Sequence, residues 1–147
     1  MDTKKILFRI GSAKIEQFAL FEENYNSTEE STKYDNKINF EASKRDHSIK
    51  CLTTITATQK EKAVFKIALG IVFKLSPESW ETLSKGSKID IPHGFSSYMA
   101  QTCYGCIRGA LLVKLENTEI KNMLPAADFN QIIKGDIELD IDTPEKQ

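Results

Sequence analysis

The sequence predicts an α+β fold, a four-stranded antiparallel sheet followed by a long helix and a short C-terminal helix. Three observations carry this reading. Apolar residues alternate with polar ones in several stretches between Lys5 and Leu75, and these are separated by polar turns. After Leu75 the alternation gives way to helix signals, and strands followed by helices is the α+β order. Finally, Phe95 to Val113 carries a single charge, Arg108, which marks a helix with almost no solvent face.

The elements follow in order. Lys5 to Phe21 reads as a two-part strand: Ile6, Phe8 and Ile10 alternate with Leu7 and Arg9, and after Gly11-Ser12 the pattern resumes at Ile15. Glu22 to Lys37 has the composition of a long surface loop, with Tyr25 and Tyr34 its only aromatics. A loop of that length inside a domain is usually functional or mobile. Ile38, Phe40 and Ala42 mark the second strand, and Ser43 to Ser48 a turn. Ile49, Cys51, Thr53 and Ile55 mark one face of the third strand, and Gln59-Lys60-Glu61-Lys62 the next turn. The fourth strand has the cleanest alternation. Phe65, Ile67, Leu69, Ile71, Phe73 and Leu75 face one way, against Lys66, Ala68, Gly70, Val72 and Lys74.

Ser76-Pro77 is an N-cap followed by proline at the first helical position, so a short helix is expected over Glu78 to Lys85, stopped by Gly86. Ile89 to Pro92 is extended. In the long helix, Phe95, Met99, Cys103, Cys106, Ala110 and Val113 form one apolar or small stripe, and Tyr104, Ile107 and Leu111 another. Gly105 and Gly109 form a small-residue ridge that lets a second helix approach closely. A chain of this size covers one helix face well but not all of them, so part of this helix is expected to meet another subunit. Asp128 and Gln131 have capping-box spacing and open a short helix ending at Gly135. A single domain over 1–135 is expected. The acidic tail, 136–147, is expected to be flexible, with a transient strand as the sharper reading of Ile137, Leu139 and Ile141.

Composition narrows the function classes. The formal net charge of −1 offers no basic character for a phosphate backbone, so no nucleic-acid partner is expected. Ser96, Ser97, Gln101, Thr102 and Arg108 make the long helix too polar for a membrane span. Met1-Asp2-Thr3-Lys4-Lys5 precedes a short alternating stretch rather than a long apolar run, so no secretory leader is expected. Three cysteines without secretory context point to a reducing cytoplasm.

Cys103-Tyr104-Gly105-Cys106 is the one string with a catalytic sound. A redox CxxC pair sits at a helix N-terminus after a strand, where the thiol pKa falls. This pair falls about two turns into the expected helix. Zinc needs four ligands, and Cys51, His47 and His93 are scattered. Both cysteines are therefore read as buried small hydrophobes. His47 is read as solvated in a turn, and His93 as helping to cap the long helix. No nucleophile elbow, phosphate loop or carboxylate pair stands out. No catalytic residue, metal ligand or cofactor is assigned, and binding is a better expectation than catalysis.

Thr53 to Ala57 followed by Lys60-Glu61-Lys62-Ala63-Val64-Phe65, then Cys106-Ile107-Arg108-Gly109-Ala110-Leu111 through Lys114, then Leu124-Pro125-Ala126-Ala127-Asp128-Phe129, with Tyr34 in the crossover loop, resemble the SecB family of export chaperones and its shorter SecB-like members. The order of elements is similar along nearly the whole chain. The resemblance implies an ATP-independent holdase, a homotetramer built as a dimer of dimers, that keeps unfolded client polypeptides in apolar grooves without nucleotide or cofactor. On that reading Tyr34, Ile38, Phe40, Leu124, Phe129, Ile132 and Ile133 are the candidate polypeptide-binding residues. Phe129, Ile132 and Ile133 share one side of the short helix by their spacing. Phe95, Met99, Cys103, Cys106, Gly109 and Ala110 are the candidate oligomer interface. Export-dedicated members carry acidic and apolar side chains on the exposed sheet face, where this chain has Lys66 and Lys74 with Ala68 between them. Docking to the translocation ATPase therefore does not carry over. A dedicated chaperone or adaptor for one client, such as an antitoxin, is the narrower alternative. A thiol or metal protein using Cys103 and Cys106 is the alternative of another class.

Overall fold

A computed structural model describes residues 5–28, 31–121 and 124–141 of the chain. The main sheet contains β1 (Phe8–Leu20), β2 (Lys33–Ser43), β3 (Ser48–Gln59) and β4 (Lys62–Leu75), in the order β1-β4-β3-β2 and antiparallel throughout. A 3-10 turn, Glu22–Asn24, follows β1. After the sheet come α1 (Pro77–Leu83), β5 (Ser84–Lys85), β6 (Lys88–Ile91), α2 (His93–Lys114), α3 (Phe129–Ile132) and β7 (Ile137–Asp140). Strands β5, β6 and β7 form a second, small sheet.

Strand β1 is continuous rather than two-part. Its register with β4 shifts between Ile10 and Ser12 and again between Ile15 and Gln17. Each bulge absorbs one extra residue, so Phe8, Ile10, Ala13, Ile15, Phe18 and Leu20 all turn to the same side despite their uneven spacing. Strand β2 begins at Lys33, so Tyr34 lies in the strand opposite Ala57 and not in the crossover loop. Polar composition made that stretch look like a loop, yet an edge strand needs only one apolar face, and Tyr34 continues the row of Ile38, Phe40 and Ala42. The β3–β4 turn places both Lys60 and Glu61 at positive φ, 49° and 64°, the conformation a two-residue hairpin turn demands.

The core lies between the inner sheet face and α2. Ile49, Ile55, Ile67, Ile71 and Phe73 are buried there against Met99, Cys103, Ile107 and Leu111. Each such side chain contributes roughly 1.5–3 kcal/mol on leaving water. The buried side of α2 also takes in Phe95, Ser96, Ala100 and Tyr104. The single stripe expected from Phe95 to Val113 is therefore not kept. Its first half, Phe95, Met99 and Cys103, is buried, whereas Cys106 and Val113 are exposed and Ala110 is half-buried. A straight helix crossing a twisted sheet turns a slowly changing side toward it, so the buried sector moves to Ile107 and Leu111.

Three end signals are reassigned. Ser76 caps α1 as expected, its side chain accepting from the Ser79 N–H at 3.1 Å. The helix stops at Leu83, however, because Ser84 is extended and opens the β5–β6 hairpin, in whose turn Gly86 sits at φ +63°. Asp128 caps α3, its carboxylate accepting from the Asn130 N–H at 3.1 Å, and the helix ends at Ile132 rather than Gly135. The acidic tail, expected to be flexible from residue 136, instead supplies β7. There Ile89 pairs with Leu139, Lys88 bonds Glu138 and Asp140 at 3.5 and 3.2 Å, and Ile141 bridges Ala42 at the end of β2. The alternation of Ile137, Leu139 and Ile141 is a strand because β6 offers it a free edge. The rest of that tail, 142–147, lies outside the described residues.

Candidate functional site

The residues expected to line a polypeptide groove come from two parts of the chain. Tyr34, Ile38 and Phe40 form the inner row of the edge strand β2, half-buried against the core. Leu124, Phe129, Ile132 and Ile133 belong to the link and short helix after α2. The two walls converge on Tyr104, a buried α2 residue to which the sequence reading gave no binding role. Tyr104 meets the Phe129 ring edge-on at 5.4 Å, and its hydroxyl donates to the Pro125 carbonyl. Tyr34 lies close enough to Tyr25 and Tyr104 that, after burial, their charges help to push its phenol pKa up. Burial also raises the Tyr104 pKa, opposed by Arg108.

The link is fastened rather than loose. The Ser97 hydroxyl donates to the Phe129 carbonyl at 3.2 Å, the His93 ring Nε2 donates to the Ile133 carbonyl at 2.6 Å, and the His93 N–H donates to Asp136 at 2.8 Å. His93 therefore ties the C-terminal segment to the start of α2. As a result Phe129 is 0% and Leu124 6% exposed: both are core residues. Phe129, Ile132 and Ile133 do not share a side, since Ile132 is 46% exposed and Ile133 lies just past the helix end. A four-residue helix is too short to present three residues on one stripe. Ile133 lines a shallow cavity of about 450 Å³ with His93, Asn130, Gln131, Lys134 and Gly135.

The side of α2 turned away from the sheet is open. Gly105, Cys106 and Gly109 are exposed on it, and nothing lies within 4 Å of a β-carbon built on either glycine. Tyr98, Leu112 and Val113 are exposed there as well, Leu112 at 67% and Val113 at 72%. This open side continues onto the inner face of β1, where Ile10 is 48% exposed. Phe8 joins the two, packing on Phe95 at 5.1 Å and Tyr98 at 5.5 Å, and Lys114 caps the Phe18 ring at 5.4 Å. Of the six residues expected at an interface, Cys106, Gly109 and Ala110 lie on or beside this face, while Phe95, Met99 and Cys103 belong to the core of the single chain. Ile10, Tyr98 and Leu112 are exposed apolar residues of this face that the sequence alone does not single out. The alternation marks Ile10 as inward, but only tertiary structure shows that α2 stops short of covering the β1 edge.

The cysteines separate. Cys103 is buried toward the sheet, whereas Cys106 is exposed, so the two thiols of the CxxC string sit in different surroundings. The partner of Cys103 is Cys51 on β3. The Cys103 thiol donates to the Cys51 carbonyl at 3.4 Å, and the Cys51 thiol is pushed up by its hydrogen bond with Cys103 and by burial. Among the described residues no cluster of His, Cys, Asp and Glu is arranged to hold a metal ion. His47 is half-buried and stacked on Trp80 at 5.3 Å rather than free in its turn. No helix among the described residues is long and apolar enough to cross a membrane. No family model matches the chain, and no curated protein matches it.

Proposed function

We propose that this protein is a nucleotide-independent polypeptide-binding chaperone of the SecB-like kind, active as a homo-oligomer, with the homotetramer the arrangement the resemblance implies. The observation that carries the reading is the exposed apolar face made by Tyr98, Leu112 and Val113 of α2 with Ile10 of β1. Contiguous apolar surface of this kind marks a protein-interaction site. The small ridge of Gly105 and Gly109 on the same face suits a second helix at close range, which supports pairing of the open side of α2 with another copy of the chain. Client polypeptide is then left the half-buried inner row of β2, Tyr34, Ile38 and Phe40, with Ile132 and Ile133 of the C-terminal segment as the second candidate wall. Weak contacts summed over several such seams give useful affinity for extended chains.

A dedicated client is favoured over a broad set by one feature. The link is held to α2 by the hydrogen bonds of Ser97, His93 and Tyr104, so the C-terminal segment has little freedom to repack around varied clients.

The test is suppression of client aggregation without ATP, read by light scattering during refolding of a slow-folding protein. Ile132→Ser with Ile133→Ser touches the seam without entering the sheet core. Protection by the wild type that falls several-fold in this variant, at unchanged oligomeric mass, supports the assignment. Equal protection by both moves the binding surface elsewhere, and no protection by the wild type removes the holdase reading.

A further inference from the structure

The outward face of the main sheet, on the side away from α2, has a charge opposite to that of the whole chain. Strand pairing sets the orientation, since residues in register with buried partners point inward and their neighbours outward. Outward positions hold Arg9 and Lys14 on β1, Lys66 and Lys74 on β4, Lys50 on β3 and Lys37 on β2. The acids on the same face are Glu16, Asp35 and Glu41, and Glu16 is already bonded to Lys50 at 2.6 Å. Arg9, Lys14, Lys37, Lys66 and Lys74 have no ion-pair partner among the described residues. In a chain of formal net charge −1, this concentrates positive charge on one face and leaves the acids mostly elsewhere.

The floor between these cations is low. Ala68 on β4 pairs with Thr54 on β3 and Lys66 with Thr56, so only small side chains separate Lys66 from the Glu16–Lys50 pair, which lies over Gly70. Lysines act on anions as point charges, and threonine hydroxyls add hydrogen bonds. Sheets that bind single-stranded nucleic acid stack bases on aromatic residues. The aromatics of β1 to β4, Phe8, Phe18, Tyr34, Phe40, Phe65 and Phe73, all lie on the inner side of the sheet.

We propose that this face docks an acidic protein segment, an Asp/Glu-rich stretch laid across Lys14, Lys66 and Lys74, independently of the seam and of the open side of α2. Charge complementarity of this type raises association rate and specificity and weakens with salt.

The experiment measures binding of a fluorescent poly-glutamate peptide to the full-length protein by polarisation, at low and at physiological salt. Poly-lysine and a single-stranded oligonucleotide of equal length serve as comparison probes. Poly-glutamate binding that weakens with salt is expected. It should fall by about tenfold or more when Lys14, Lys66 and Lys74 are all changed to glutamate, and remain with Lys66→Arg and Lys74→Arg. If the triple reversal disturbs the circular dichroism spectrum, the same three changes to glutamine serve instead. No poly-glutamate binding at low salt, or binding that survives both triple variants, overturns the proposal. Tighter binding of the oligonucleotide than of poly-glutamate overturns it in favour of a nucleic-acid surface.

Discussion

Replacing Gly105 and Gly109 by alanine gives opposite results for an isolated chain and for an assembly. In the single chain a β-carbon at either position meets nothing within 4 Å, and neither glycine has a positive φ. Alanine is better than glycine inside a helix by about 1 kcal/mol, so the double variant should stabilise the dissociated chain by about 2 kcal/mol. If a second helix crosses at this ridge, each added methyl intrudes on a close contact. Overpacking of that kind costs roughly 1–3 kcal/mol per site, and in a symmetric crossing every substitution is counted on both copies. The same change should therefore raise the urea midpoint at the lowest protein concentrations and reduce the oligomeric mass measured by light scattering at higher ones. Gly109→Glu should dissociate the assembly more completely, because it places an unpaired charge in the contact. A double-alanine variant that keeps the wild-type mass, with an equally raised midpoint at every concentration, would refute the argument. The glycine ridge would then face solvent, and the interface would lie elsewhere.

Four further outcomes are expected. Gly70 lets the Glu16–Lys50 pair cross the central strand, since its β-carbon would lie 2.5 Å from Glu16 Oε2 and 2.9 Å from Lys50 Cε. Both partners are about one-third exposed, so Gly70→Ala should change stability by less than about 1 kcal/mol while removing its salt dependence, and a loss of several kcal/mol would show that backbone had to move. Lys60→Asn with Glu61→Gly should raise stability by about 1 kcal/mol in denaturant titrations, by relieving two left-handed residues in the β3–β4 turn. Tyr34 and Tyr104 have phenol pKa values raised chiefly by burial, so their stabilising contribution is complete below about pH 10 and is lost as pH rises through the raised folded values. The melting temperature should drop on the alkaline side, and the drop should be smaller in Tyr34→Phe with Tyr104→Phe. A thiol reagent should label Cys106 alone in the native state, and rapid labelling of Cys51 or Cys103 would contradict their burial.

The main sheet was legible because each strand carries a period-two apolar row. Even the bulges of β1 are written in the spacing: Ile10 to Ala13 and Ile15 to Phe18 are three-residue steps in a pattern otherwise stepping by two. The N-caps at Ser76 and Asp128 were legible because they depend on neighbours along the chain. The candidate site was legible only in part. Tyr34, Ile38 and Phe40 do line one strand face, but nothing local marks Phe129 as core, because its burial depends on Tyr104 from a distant element. Tyr104 itself was hidden among the other apolar residues of α2.

The sequence by itself determined the α+β class, the four main strands with their inward faces, the long helix and most places where the chain turns. These follow from contacts between residues close in sequence, or from a periodicity that any core would require. Tertiary structure alone decided which sector of α2 is covered, that Cys103 meets Cys51 rather than Cys106, and that the acidic tail completes a sheet. Each depends on where a partner far along the chain happens to stand. The twist of the sheet turns α2 as it crosses, the helix leaves Ile10 of the edge strand β1 exposed, and the free edge of β6 gives Ile137–Asp140 the hydrogen bonds it cannot make alone.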